Sequence, residues 1–397
     1  MTGCEDSWDK IEMSEIKIPI LDLTLQYQAI QDEIQEAIDR VLRSGRFILG
    51  EEVANFEQAV ANYLGVKHAI GVNSGTDALI ISLRCLGIGQ GDEVITTPFS
   101  FFATAESISM VGATPIFADV ELETFNLNPR KIIEKITSKT KAILPVHLYG
   151  NPAAMAKISD IAQSYNLKII EDCAQSFGAK YQADCCTCKQ DCSEKNRSHL
   201  KGKFTGTMGN LGAFSFFPTK NLGAYGDGGL IVTNDDQLAE LARMLRVHGD
   251  RKKYHNEMLG YNSRLDALQA AILNVKLSYI EQWNEQRRNI AQTYNEQLSQ
   301  VPGLVTPYVN KGHVFHQYTI RILEGKRDRV QSSLKEQGIG TMIYYPVSQD
   351  QLPVYAGNYD KLPMSELLSE QVLSLPIWPE LTAEKIKTIT QAVIKSL

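Results

Sequence analysis

"SFFPTKNLGAYGDGG", residues 215–229, sets Lys220 between an apolar run and a loop with four glycines. Lysine is ordinarily a solvated surface charge, and a Gly-rich loop is ordinarily a turn. Here the flanking runs "AFSFF" (213–217) and "GGLIVTND" (228–235) read as strands, so the lysine stands at a strand end. Desolvation there lowers a lysine's pKa and makes the neutral amine nucleophilic toward an aldehyde. A dinucleotide fingerprint is the rival use for these glycines. It fails, because "GAYGDGG" is G-x-x-G-x-G-G and runs into a strand, not a helix.

Working upstream, "HAIGV" (68–72), "EVITT" (93–97), "TPIFADV" (114–120), "KAILPVH" (141–147) and "LKIIEDC" (167–173) are short apolar runs. Helix-length segments such as "GTDALIISLRCLG" (75–87) and "AAMAKISDIAQSYN" (153–166) lie between them. That alternation predicts an α/β fold, with a mostly parallel sheet covered on both faces by helices. Downstream, a single helix of about 50 Å is expected from Arg264 through Leu298 at 1.5 Å per residue. After it come a strand at 316–322, a helix at 327–338, a strand "TMIYY" (341–345) and a terminal helix from Ala383. The expected division is a large domain over 15–275 and a smaller C-terminal α+β domain over 276–397.

The chain has 397 residues, 43% hydrophobic and 22% charged, with a net charge of −6. "DRKKYH" (250–255) is too short for a nucleic-acid footprint, so no nucleic-acid partner is expected. No window approaches the roughly 18 apolar residues of a membrane helix. The polar, acid-rich start resembles neither a signal nor a transit peptide, which predicts a cytoplasmic protein. Four of the seven cysteines crowd into "CCTCKQDC", as Cys185, Cys186, Cys188 and Cys192. Their C-C-x-C-x3-C spacing is not that of a zinc ribbon, so the polar stretch 182–203 reads as a solvated loop insertion without metal.

Four further pieces bear on Lys220. In "GVNSGTDAL" (71–79) a strand gives way to a helix, whose unpaired first N–H groups form an anion site. Gly75 lets a phosphate approach, and Thr76 adds a hydroxyl. In "IIEDCAQSFGA" (169–179) Asp172 ends a strand, where a carboxylate can hold a pyridine nitrogen protonated, and Gln175 could meet a ring phenolate. Ser215 offers another phosphate hydroxyl. In "TTPFSFFATAE" (96–106) Phe101 or Phe102 could stack on a flat heterocycle. Together these are fittings for pyridoxal 5′-phosphate.

The chain resembles the DegT-type nucleotide-sugar aminotransferases, which are fold-type I pyridoxal-phosphate enzymes. The resemblance rests on "SGRFILGEEVANFE", "VNSGTDAL", "PVHLYG", "EDCAQSFGA", "GAFSFFPTKNLGAYGDGGLIVTND", "LGYNSRLDALQAAIL" and "VLSLPIWPELT", in that order. It implies Lys220 as the cofactor-bonding lysine and proton shuttle, Asp172 on the ring nitrogen and Gln175 on the ring hydroxyl. It implies Gly75, Thr76 and Ser215 on the phosphate, with Phe101 as the stacking ring. It also implies a homodimer in which Asn262 reaches the partner's phosphate site, with Arg264 a candidate for the amino-acid donor's carboxylate. Tyr344 and Tyr345 fall at the family's sugar side. Three positions depart from the pattern: Asn256, Tyr344 and Asp350 stand where many relatives have histidine. They bear on substrate identity. The expected reaction moves an amino group, from glutamate, to a keto group of a nucleotide-linked sugar. "PTKNLGAYGDGG" is closer to members acting on 3-keto than 4-keto sugars. The alternatives are a 4-keto aminotransferase, a cofactor-dependent sugar dehydratase, against which Lys220 itself argues, and a non-catalytic regulator.

Overall fold

The computed structural model describes residues 17–183 and 193–397. The Cys185–Cys192 cluster lies outside them. Seven strands form the main sheet: β1 (His68–Val72), β2 (Glu93–Thr96), β3 (Thr114–Phe117), β4 (Thr140–Leu144), β5 (Lys168–Asp172), β6 (Leu211–Ser215) and β7 (Gly229–Thr233). Their order is β1-β7-β6-β5-β4-β2-β3, with β7 antiparallel to both neighbours and the other pairs parallel. Strand interiors are buried on both faces, as helical crossovers require. Because β1, β2, β5 and β6 run the same way, their carboxyl ends open on one edge of the sheet. That edge is where α/β sheets build sites.

The hairpin of β8 (Asp250–Lys252) and β9 (His255–Asn256) stands exposed beside this body. A second, antiparallel sheet has the order β10 (Leu304–Val305), β11 (Tyr318–Ile322), β12 (Val372–Leu375). Its core gathers Tyr294, Tyr318, Trp378 and Ile389. The N-terminal residues 17–20 join it, with Ile18 N–H on Gly338 O at 3.0 Å and Ile377 N–H on Ile20 O at 3.3 Å.

Three expectations about elements change. The single long helix is two, Ala267–Leu277 and Ile280–Leu298. Its apolar positions keep helical spacing except across Val275 to Ile280. At about 100° per residue that gap swings the stripe roughly 140° around. Ile280 and Trp283 still pack in the core of the first helix, and only the later turns leave it. The first lies against the helices Gln31–Ser44 and Glu51–Leu64, and the second buries Ile290, Tyr294 and Leu298 in the smaller core. The stretch 341–345 is no strand beyond a bridge from Met342 to Ser374, because Tyr344 gives its carbonyl to the Tyr149 hydroxyl instead of a ladder. The end of the 182–203 insertion is not aperiodic. Ser193 caps a helix, Glu194–Leu200, and Asp160 accepts from Ser193 N–H and Oγ at 2.6 Å and from Asn196 Nδ2 at 2.7 Å. No described helix is long and apolar enough to cross a membrane.

Candidate active site

Adjacent residues of a strand face opposite ways, and β5 ends on two acids. Glu171 is fully buried and saturated. Its Oε1 accepts from Met208 and Gly209 N–H at 2.7 and 2.6 Å, and its Oε2 from Gly206 N–H and His147 Nε2 at 2.9 Å. His147 Nδ1 in turn accepts from Ala153 N–H at 3.0 Å, which puts the ring proton on Nε2. Cys173 lies close enough to complete a metal-like trio with these two, but their lone pairs are already committed. Glu171 holds the 206–209 turn.

Asp172 faces the other way, into a cavity of about 470 Å³. Burial raises its carboxyl pKa above the usual range, opposed by hydrogen bonds from Ala174 N–H (3.1 Å) and Thr104 Oγ1 (2.9 Å) and by the Lys220 charge. Lys220 lines the same cavity, and desolvation draws its pKa down to about 8, against the pull of Asp172. The loop carrying it is held from behind. Asn221 Nδ2 donates to Asn284 Oδ1 (2.7 Å) and Val314 O (3.0 Å), while Lys276 Nζ donates to Gly223 O. Gly223 has to be glycine, since a Cβ there would sit 2.3 Å from Pro218 O.

At one end of the cavity the helix Gly75–Cys85 begins, capped by Ser74 Oγ accepting from Asp77 N–H at 3.1 Å. A Cβ on Gly75 would lie 2.6 Å from Ser215 Cβ, so the glycine lets β6 bring its serine hydroxyl beside the helix start. Free helix N–H groups, the Thr76 hydroxyl and Ser215 Oγ then face one pocket wall, a cradle for an anion. Gln175 is oriented by both ends of its amide. Oε1 accepts from Tyr149 N–H at 2.6 Å and Nε2 donates to the Tyr345 hydroxyl at 3.0 Å, so one N–H remains for the cavity. Phe101 stands 60% exposed at the mouth, whereas Phe102 turns away toward Tyr355. Tyr344 and Tyr345 line the far wall.

Nine predicted residues therefore share the cavity: Gly75, Thr76, Phe101, Asp172, Gln175, Ser215, Lys220, Tyr344 and Tyr345. Asn262 and Arg264 do not. They line a separate polar recess with Asn73 and Gln269, adjoining the first through Asp227. Of the three departures from the resembled pattern, Tyr344 lines the cavity. Asn256 sits on the exposed hairpin and Asp350 turns inward to Ser348 Oγ. Sequence reading missed Thr104, which braces Asp172, and His316, a buried cavity residue whose Nδ1 meets Asn221 Oδ1 at 3.2 Å. Thr104 was legible as a polar residue one helical turn past Phe101. His316 came from the distant C-terminal half and gave no local signal.

Residues 28–394 match the DegT/DnrJ/EryC1/StrS aminotransferase family. A Geobacillus stearothermophilus protein named "pleiotropic regulatory protein" is 48% identical, over 95% of this chain and 98% of its own. The UDP-N-acetyl-3-dehydro-alpha-D-glucosamine 3-aminotransferase of Acidithiobacillus ferrooxidans is 43% identical, over 96% of this chain and 98% of its own. Among solved structures, S. venezuelae DesV in complex with a ketimine intermediate superposes with a TM-score of 0.88 at 41% identity, covering 95% of this chain and 98% of that one. The chain belongs to the DegT/DnrJ/EryC1/StrS aminotransferase family.

Proposed function

We propose that this aminotransferase uses pyridoxal 5′-phosphate to move an amino group from glutamate to the 3-keto carbon of a nucleotide-linked hexose. The observation that carries the reading is one cavity lined by a lysine of lowered pKa, a buried carboxylate and the hydroxyls and free N–H groups of a helix start. These residues fit the cofactor. Gly75 lets the Ser215 hydroxyl stand beside the free N–H groups of the helix start, and the Asp172 carboxylate is buried with an oxygen to offer a ring N–H. When bound, the cofactor supplies an electron sink for the bond breaking at the donor's Cα.

The chain's own residues do the rest. Asp172 keeps the ring nitrogen protonated, and Thr104 and Ala174 N–H hold that carboxylate in place. Gln175 directs its remaining N–H at the ring hydroxyl. Thr76, Ser215 and the helix N–H groups bind the phosphate. Phe101 covers one face of the ring. Lys220 Nζ, neutral in part near pH 7, would act as the base at the donor's Cα and hold the proton taken there. Tyr344 and Tyr345 meet the sugar.

The 3-keto assignment is supported by the A. ferrooxidans relative, whose name places its chemistry at that carbon. The buried free thiols Cys85 and Cys173 support a cytoplasmic setting. Asn262 and Arg264, outside the cavity of their own chain, complete it from a second copy in a homodimer. The substrate is tested by incubating the protein with glutamate and separate 3-keto and 4-keto nucleotide sugars, then identifying the amino sugar by mass spectrometry. Amination of the 3-keto sugars is expected. Amination of 4-keto sugars alone would overturn the assignment.

A further inference from the structure

Gln349 has no part in the chemistry above, yet it is only 2% exposed and grips the loop that carries Phe101. Its Nε2 donates to two successive carbonyls, Ser100 O at 2.8 Å and Phe101 O at 2.9 Å. Its backbone N–H donates to Pro98 O at 2.9 Å. Three hydrogen bonds from one residue thus fall on three residues of the loop, Pro98, Ser100 and Phe101. Meanwhile Gln349 Oε1 is buried with no partner among the described residues. Leaving a buried acceptor unmatched is unfavourable, so the side chain's orientation is dictated by where its two hydrogens go.

The Phe101 ring is mostly exposed, so side-chain packing does little to fix it. Its place depends on the backbone beneath. Gln349 sits four residues past Tyr345, whose hydroxyl meets Gln175, and five past Tyr344, whose carbonyl meets the Tyr149 hydroxyl. One short segment, 344–349, therefore touches the aromatic loop, the Gln175 amide and the residue that orients it.

We propose that Gln349 is a positioning residue that holds Phe101 at the cavity mouth and ties the ring to the Tyr344–Tyr345 segment. The proposal rests on the reading of Phe101 as the ring that stacks on the cofactor. Gln349→Met keeps the length and removes both donors, and Gln349→Glu serves the same purpose should the first variant not fold. Both are compared with Phe101→Leu and with the double variant, by the dissociation constant of pyridoxamine phosphate and by backbone hydrogen exchange over residues 99–104. The expected result is about tenfold weaker binding for Gln349→Met, the scale of lost hydrogen bonds in a buried site, with faster exchange in the loop. Phe101→Leu weakens binding too, and the double variant binds no worse than Phe101→Leu alone, since Gln349 acts through the ring. Losses that multiply, or unchanged binding in both Gln349 variants, overturn the proposal while leaving the stacking role intact. Unchanged binding in Phe101→Leu overturns the stacking role, and the proposal with it.

Discussion

Taking the Lys220 ammonium out of water brings its pKa to about 8, from a usual value near 10.5. Above pH 8 the amine is neutral, and below it the neutral fraction falls about tenfold per pH unit. In the cofactor-free protein the rate of covalent attachment should climb at that slope up to about pH 8 and then level off, followed by stopped-flow absorbance. Borohydride reduction and peptide mapping should place the label on Lys220, and Lys220→Ala should take none. A label on Lys201 or Lys203 would refute the assignment. Lys220 and Asp172 were legible because each combines a charge with a strand end. Glu171 was not separable from Asp172 by composition. Alternation put the two acids on opposite faces, but only the turn at 206–209 decides which face is structural.

Elements carry the next layer. The strand–loop–strand around Lys220 and the strand-to-helix turn at Gly75 were readable, because glycine placement and apolar runs are local. The support beneath the loop was not, since it comes from Lys276 and Asn284, more than fifty residues away in sequence. The helix break at Ser278–Tyr279, just past the domain boundary that we propose near residue 275, was present in the sequence as a five-residue step in the apolar spacing. Lys276 in the first of these helices is almost fully buried, and desolvation lowers its pKa to about 7. Between about pH 7 and 10.5 the unfolded chain holds a proton there that the folded chain has released. Stability from this group therefore rises with pH across that window, by at most about 1.4 kcal/mol per unit, and is lost as pH falls toward 7. Denaturant midpoints at pH 7.5 and 9 should show wild type gaining on Lys276→Met at the higher pH. A constant difference between the two proteins would mean that Lys276 stays charged when buried.

At the scale of the molecule, the recess holding Asn262 and Arg264 belongs to the surface. Leu259, three residues before Asn262, is 85% exposed, and Phe47 and Ile48 are also exposed, with Ile48 bridged to Asp266 and Phe47 O accepting from Ala267 N–H. Large apolar side chains around a polar recess mark a surface that another chain covers. A two-fold axis would let each copy bring its recess to the other's cavity. Sequence spacing could not separate this from a site within one chain, because Asn262 lies as near Lys220 in sequence as any same-chain ligand would. Mixed dimers can. Lys220→Ala and Asn262→Ala homodimers should each be inactive or badly impaired. Co-refolded, about half the dimers pair one of each, collecting both lesions in one site and leaving the other intact, so about a quarter of all sites should recover. If both residues served the same chain's site, no mixed dimer would contain an intact one. Activity that stays at the homodimer level, with mixed dimers verified by native mass spectrometry, would place Asn262 in its own subunit's site or outside the cofactor site altogether.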